Sequence, residues 1–597
     1  MAAMADPLGP DVIAASSPSI PVIEAELDSD ISASEGCRTP PLCKPLRAFF
    51  PIGKTGDGRE LYSLRTLEAV GYPSNNSSTS SLTGPNIVYQ LKPQSGSSRP
   101  STKDESSSLP QKKGSQFYRW LRWGFGSVYR RIFTLAYLAN LVALAILVAH
   151  TGLGLGSPLT YSTCATAVSA NILASLLVRN EHVVNAMFIV FGSWPRQAPL
   201  SLRRVFAKVY SYGGIHSGCG VSATFWYIAY LVMLTQAFTG QNIPLLRAYT
   251  LLVSYLIVFL LVTILVFAHP RVRVLIHNWF EGIHRYLGWS VVVLFWAQTM
   301  MLAAETATIR HIPMAVSLVI SPSFWMLIIT TLLVIYPWTH LRLRDVEAEP
   351  LSDHVIKLNF SHADAQYGQA VRLSDAPLKE THAFAVIPNP KSQPTSDTLP
   401  NSDLSTSSTL EKPPFLKSGK GFSVLISNAG DWTNKIIHNP PKKMWIRGLP
   451  QYGVLRVAGL FDPVIIVATG SGIGPCLSFF VQKPDHPVRI IWSTPNPVET
   501  YGQAVVDLIF KTDPRAIIHD TRKLGRPDLV AMTHLVWEAS RWEGARGYAL
   551  GEEMSSRRNP PGQCEAVVII SNQKVTKKVV YGLESRGIPA YGAIFDS

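Results

Sequence analysis

The chain has 597 residues, a formal net charge of +14, 47% hydrophobic residues and only 16% charged ones. That is too long for one domain, and the apolar skew suits a polytopic membrane protein. Lysine and arginine crowd beside the hydrophobic runs, which points to membrane topology and away from nucleic acid as a partner. Six cysteines without paired spacing exclude a disulfide framework and a zinc site.

Residues 1–116 are rich in Ser, Pro and Gly, with "SNNSSTSSLTG" and "SSRPSTKDESSS" as typical stretches. Such a segment cannot bury enough apolar surface to offset its ordering entropy, so a disordered tail is expected. It shows no secretory signal, and the first apolar helix is expected to act as its own insertion signal. The basic aromatic stretch "QFYRWLRWGFGSVYRR" then reads as a collar at a membrane surface.

Residues 117–345 carry about six runs of bilayer length. They lie near Ile132–Val148, Tyr161–Val178, Ser222–Phe238, Tyr249–Phe267, Tyr286–Ala303 and Leu318–Trp338. Arg130 and Arg131 precede the first run, and Arg179, Arg196, Arg203, Arg204 and Lys208 lie between the second and third. Arg271, Arg273 and Arg285 lie between the fourth and fifth, and Arg342 and Arg344 follow the sixth. The alternate loops hold only Arg247 and Arg310, so the excess of positive charge predicts cytoplasmic termini on an integral membrane chain.

After Arg344 short alternating runs such as "HVIKLNF", "THAFAVI", "FSVLI" and "GVLRVAG" predict a small antiparallel barrel over 346–460. A Ser/Thr/Pro insertion, residues 389–420, interrupts it as an expected mobile loop. Over 461–597, "VIIVAT", "VRIIWS" and "AVVIIS" alternate with helical stretches, which predicts a parallel sheet with covering helices. In "TGSGIGP", Gly470, Gly472, Gly474 and Pro475 stand between a strand and a helix. Glycines there let backbone N–H groups approach a pyrophosphate. The strand end "IIWSTPNP" has no acidic residue to grip an NAD ribose, while Arg522, Lys523 and Arg526 follow in "DTRKLGRPDL". Arginine suits a 2′-phosphate, so NADPH is preferred to NADH.

The order "THAFAVIP", "GDWT", "GLPQYG", "ATGSGIGP", "GRPDL" resembles the flavin and nicotinamide domains of the ferric reductase and NADPH oxidase superfamily, most of all the TmpA-type fungal integral membrane flavoproteins. The resemblance spans roughly residues 120–597. It implies a ferredoxin-reductase-like flavin barrel behind the membrane helices, with FAD held by His382, Phe384, Gly430 and Thr433. The family's hydroxyl is a methyl at Ala385, a loss of order 1 kcal/mol if its bond was made. Where the family carries Cys-Gly-Pro, this chain has Ser571 and Asn572; an aromatic such as Phe595 would cover the flavin.

The resemblance also implies histidine pairs on two helices, holding two stacked haems about 20 Å apart along the helix. His216 and His284 each begin an H-x-x-x-G pattern, as the first ligands do, and would clamp one b-type haem. Thirteen and fourteen residues later stand Ala229 and Tyr230, and Ala297 and Gln298, so the outer haem has no ligands. The expected function is a plasma-membrane flavoprotein oxidoreductase passing electrons from NAD(P)H to FAD and on to an inner haem or nearby acceptor. A non-catalytic flavin- or nucleotide-binding sensor or scaffold is the alternative.

Overall fold

The computed structural model describes residues 46–54, 60–71 and 87–91 as backbone, together with 109–154, 159–240, 243–389, 419–549 and 563–593. The expected insertion at 389–420, apart from its two ends, and Phe595 lie outside the described residues. Within the stretch expected to be a disordered tail, Leu46–Lys54, Glu60–Gly71 and Ile87–Leu91 pair as a three-stranded antiparallel sheet. Segments such as "LRAFF" and "IVYQL" are aromatic and β-branched enough for strands. Averaging them with the flanking serine-rich runs hides that preference.

The apolar runs form helices α1 (Val128–Gly152), α2 (Tyr161–Leu177), α3 (Glu181–Gly192), α4 (Gly213–Phe238), α5 (Leu245–Ala268), α6 (His277–Arg310) and α7 (Pro322–Thr339). By length and composition five spans qualify to cross a membrane, or six if the bent pair α2–α3 counts as one. A Cβ on Gly214 would meet the Tyr129 carbonyl oxygen at 2.4 Å, and one on Gly218 the Phe133 oxygen at 2.8 Å. This small-xxx-small pair lets α4 lie directly on α1. The bundle buries an apolar cluster, with Val168, Trp226, Leu234 and Ile257, into which the polar Asn171, Ser222, Ser254 and Gln298 are set, while Leu135, Leu252, Phe259 and Val293 face outward.

Helix α3 was not foreseen; the reading of 179–208 took it as part of a loop. Asn180 caps it by accepting from the His182 amide, and Glu181 follows in its first turn, a start signal legible in "NEHVVNAMF".

Seven strands follow: β1 (Arg342–Asp345), β2 (Glu347–Ser352), β3 (Val355–Phe360), β4 (Gln369–Ser374), β5 (His382–Pro388), β6 (Phe422–Ser427) and, after helix α8 (Asp431–His438), β7 (Lys443–Tyr452). They form one antiparallel sheet in the order β1-β7-β4-β5-β6-β3-β2, a half-barrel with two free edges.

The last module runs β8 (Val464–Thr469), α9 (Ile473–Gln482), β9 (Val488–Thr494), α10 (Gln503–Thr512), β10 (Ile517–Asp520), α11 (Leu529–Ala549), β11 (Ala566–Ile570), α12 (Gln573–Glu584) and β12 (Ala590–Gly592). Its parallel sheet has the order β10-β9-β8-β11-β12. Both faces are covered, so β8 is apolar at every position of its strand core. Ile466 and Ala468 join one hydrophobic layer, Ile465 and Val467 the other.

Candidate functional site

In the parallel sheet the chain leaves β8 and returns on the other side at β11, so the strand order reverses between these two neighbours. Ligands of open α/β sheets bind outside the carboxyl ends of the strands at such a reversal. The glycine turn sits there. Gly470 has φ +49°, a left-handed conformation that L side chains avoid. A Cβ on Gly472 would lie 2.2 Å from the Ile570 carbonyl oxygen at the end of β11, so only glycine lets the turn press against that strand. A 3-10 turn, Gly470–Gly472, runs into helix α9 at Ile473, whose amide bonds the Gly470 and Ser471 carbonyls, so the helix N-terminus lies at the turn and its dipole favours an anion there. Pro475 occupies that first turn, where its missing N–H costs nothing. Gly474 does something else: it is buried where α9 packs on the half-barrel, and a Cβ there would meet the Leu425 Cβ of β6 at an ordinary 3.5 Å.

Other groups gather at the turn. Trp492 donates from Nε1 to the Gly470 carbonyl at 3.0 Å. The Tyr501 hydroxyl comes within 3.9 Å of the Gly470 Cβ position; burial pushes its phenol up, while Ser427 and Thr494 pull the other way. Ser427 ends β6 and Thr494 ends β9, and their buried hydroxyls gather at the Tyr501 phenol. Cys476 is no nucleophile: burial pushes its thiol up, and it donates to the Gly472 carbonyl. Ser571 bonds Thr469, and the Asn572 side chain caps α12 by accepting from the Val575 amide. Arg526 is exposed in the loop after β10, two strands from β8, a lateral offset of roughly 10 Å.

The residues expected to hold flavin lie together on β5 and at the start of α8. The His382 and Phe384 rings share one face, and both are covered by Trp432, with centroids at 4.3 and 5.7 Å. A flavin ring stacks on Phe384 only with the Trp432 indole turned aside. The Thr433 hydroxyl is already engaged, accepting from the Ala429 and Gly430 amides and donating to the Gly430 carbonyl. Gly430 is open to solvent. A cavity of about 700 Å³ opens elsewhere, at the carboxyl end of α9 beside Asp364 and Arg456.

His216 and His284 are brought together across α4 and α6, with ring centroids 6.1 Å apart. A metal midway between two imidazoles, at the usual bond length of about 2.0–2.1 Å, sets the centroids roughly 6 Å apart. His216 Nδ1 lies 3.0 Å from the Ser175 carbonyl, which fixes the tautomer and leaves Nε2 free. Gly220 and Gly288, one turn on, have open space where a Cβ would stand. His216 and His284 would be the residues to hold a haem. The outer positions offer no such pair: Gln298 donates to the Tyr227 and Ser254 hydroxyls. Among the described residues no group of three or more His, Cys, Asp or Glu could hold a metal ion.

Three ion pairs dock the chain between α3 and α4 on the parallel sheet module. Arg203 makes a bidentate buried contact with Glu565, at 2.6 and 2.9 Å, and also donates to the Leu460 and Ala198 carbonyls. Arg196 reaches Asp462 at 2.8 Å, and Lys208 reaches Glu584 at 2.6 Å. Helix α3 holds the half-barrel: Glu181 pairs with Arg372, and Asn185 bonds the Pro450 carbonyl and the Tyr452 amide. Sequence reading used these cations only as topology signals and missed their partners, which lie hundreds of residues away.

Residues 454–545 and 553–597 match the family model described as Adenylate-forming reductase 03009, C-terminal domain. Two proteins of Coprinopsis cinerea are similar over most of the chain. Adenylate-forming reductase 03009 is 39% identical over 82% of this chain, and adenylate-forming reductase 06235 likewise 39% over 82%. The chain spans 42% of the length of each. These matches overturn the TmpA-type resemblance. They point to fungal adenylate-forming reductases, and they remove the ground for a membrane flavoprotein that passes electrons to a haem or cytoplasmic acceptor. Among solved structures, flavohemoglobin from Malassezia yamatoensis has a TM-score of 0.31 at 13% identity, covering 72% of this chain and 99% of that one. Ferredoxin-NADP+ reductase from Plasmodium falciparum has a TM-score of 0.26 at 14% identity, covering 42% and 95%. Similarities of that size leave the two-module description resting on the sheet orders given above.

Proposed function

We propose that the chain is an NADPH-dependent oxidoreductase that reduces an activated carboxylic acid. The observation that carries the nucleotide is the glycine turn at the strand-order reversal, with Gly472 pressed on Ile570 and the N-terminus of α9 at the turn. Arg526 is the candidate partner of the 2′-phosphate, at the sheet edge where an extended dinucleotide ends. The substrate class comes from the name of the relatives, which joins adenylate formation to reduction. In the reductive step a hydride passes from NADPH to the acyl carbon and the carbon–oxygen bond to AMP breaks. Aldehyde, AMP and NADP+ result, and no further reductant is needed.

FAD belongs to the proposal as a second cofactor, seated along β5 and α8 with Trp432 displaced, where it would supply hydride-accepting chemistry. His216 and His284 would hold one b-type haem, independently of the nucleotide. The helices α1, α2 and α4–α7 would lie in a bilayer, with both termini cytoplasmic.

The test uses the purified full chain, NADPH and a synthetic acyl adenylate. Loss of the nicotinamide absorbance should match aldehyde formed, and NADH should serve less well than NADPH. A folded chain that neither binds nor oxidises NADPH would overturn the reading. A dithionite-reduced minus oxidised spectrum should show one haem per chain, lost in His216→Ala and in His284→Ala.

A further inference from the structure

We infer that the cavity between α2, α4, α6 and α7 binds an elongated aromatic monocarboxylate whose far end carries a hydrogen-bonding group. The cavity holds about 270 Å³, close to the lower end of ligand-site volumes of roughly 300–1,000 Å³. It is built from elements other than the glycine turn, and the inference does not depend on the nucleotide reading.

Its inner end is polar and neutral. Tyr230 is 1% exposed, lines the cavity, and its hydroxyl has no hydrogen-bond partner. Beside it Gln298 is held by its two donated bonds to Tyr227 and Ser254. An unpartnered phenol buried against an apolar bundle is costly, and a ligand oxygen there would satisfy it. The middle is apolar and aromatic, with Phe295 and Leu302. The mouth carries Arg310, which forms no ion pair among the described residues. The neighbouring carboxylate of Glu305 is already paired with Arg247 at 2.6 Å. The mouth is therefore left with one uncompensated positive charge.

Helical geometry fixes the span. Gln298, Leu302, Thr306 and Arg310 recur every four residues on α6 and all line the cavity. Twelve residues rise roughly 18 Å, and an arginine side chain leans back toward the helix N-terminus, shortening the distance between charge and phenol. A hydroxylated arylpropenoate matches that order: carboxylate at Arg310, ring in the apolar middle, hydroxyl at Tyr230.

The experiment is equilibrium dialysis of the full chain in lipid nanodiscs with 4-hydroxycinnamate, cinnamate and methyl 4-hydroxycinnamate. One saturable site per chain is expected for 4-hydroxycinnamate. Arg310→Gln should weaken both acids about tenfold or more and leave the methyl ester unchanged, because only the acids make a charge-assisted contact. Tyr230→Phe should weaken 4-hydroxycinnamate about fivefold and leave cinnamate unchanged. Arg310 is exposed, so Arg310→Gln does not threaten the fold; helicity and size exclusion check both variants. Absence of saturable binding by the folded chain would overturn the inference. So would binding that ignores both substitutions, which would mean nonspecific partition into the lipid.

Discussion

At the scale of single residues, two glycines of one motif do different work. Gly472 has no room for a methyl group, because the Ile570 carbonyl oxygen stands 2.2 Å from its Cβ position. A Cβ on Gly474 would meet Leu425 at an ordinary contact distance of 3.5 Å. Gly472→Ala should therefore cost about 1–3 kcal/mol and abolish NADPH binding, whereas Gly474→Ala should change stability by less than about 1 kcal/mol. Thermal unfolding and nucleotide titration of both variants distinguish these outcomes. Equal effects would mean that the turn is not pressed on β11. The glycine motif was legible in the sequence because strand, turn and helix follow within a few residues. Tyr501, Ser427 and Thr494 were not, since each comes from a different element and none stands in a motif. Trp432 lay inside "GDWT", but nothing local told that its indole would cover His382 and Phe384.

At the scale of elements, the segment joining α3 to α4 acts as a clasp on the parallel sheet. Arg203 is buried with all its contacts satisfied, so removing one partner leaves a buried, unpaired charge. Glu565→Ala should destabilise the full chain by about 3–5 kcal/mol, and replacing both members by Met and Leu should cost much less. Denaturant midpoints of the single and double variants measure this. The clasp also contains a titratable group. His486 is 4% exposed, sits with Nδ1 2.7 Å from Arg196 and with Nε2 2.7 Å from the Phe461 carbonyl, and burial holds its pKa below the ordinary value. The other groups facing it are Asp462, which favours the charged form, and Lys483, which opposes it. The unfolded imidazole takes up its proton near pH 6.5, before the folded one does. Stability is thus complete above about pH 6.5 and falls as pH drops below it, by at most about 1.4 kcal/mol per pH unit for this proton. Unfolding midpoints should fall between pH 7.5 and 5.5, and His486→Gln should flatten that slope.

At the scale of the whole molecule, the parts differ in what they expose. The helical part buries an apolar cluster with amides and hydroxyls set in it and also turns leucine, valine and phenylalanine outward, while the two sheets bury their aliphatic layers. Such a surface should hold the chain in the membrane fraction through high-salt and carbonate washes, released only by detergent; release by salt alone would contradict it. The apolar runs and the alternation of strands with helices were readable because each is set by local periodicity. The three strands within 46–91 were hidden by surrounding composition, and helix α3 by its place between runs of bilayer length. The lack of outer haem ligands was legible at Tyr230 and Gln298, but not the polar-ended cavity that these residues line. Arg203 and Glu565 are 362 residues apart in the chain. At synthesis rates of about 5–20 residues per second, the arginine waits roughly 20–70 s for its carboxylate to be made. During that interval Arg203 has no Glu565 to pair with, so the clasp closes only once the last strands of the parallel sheet have been made.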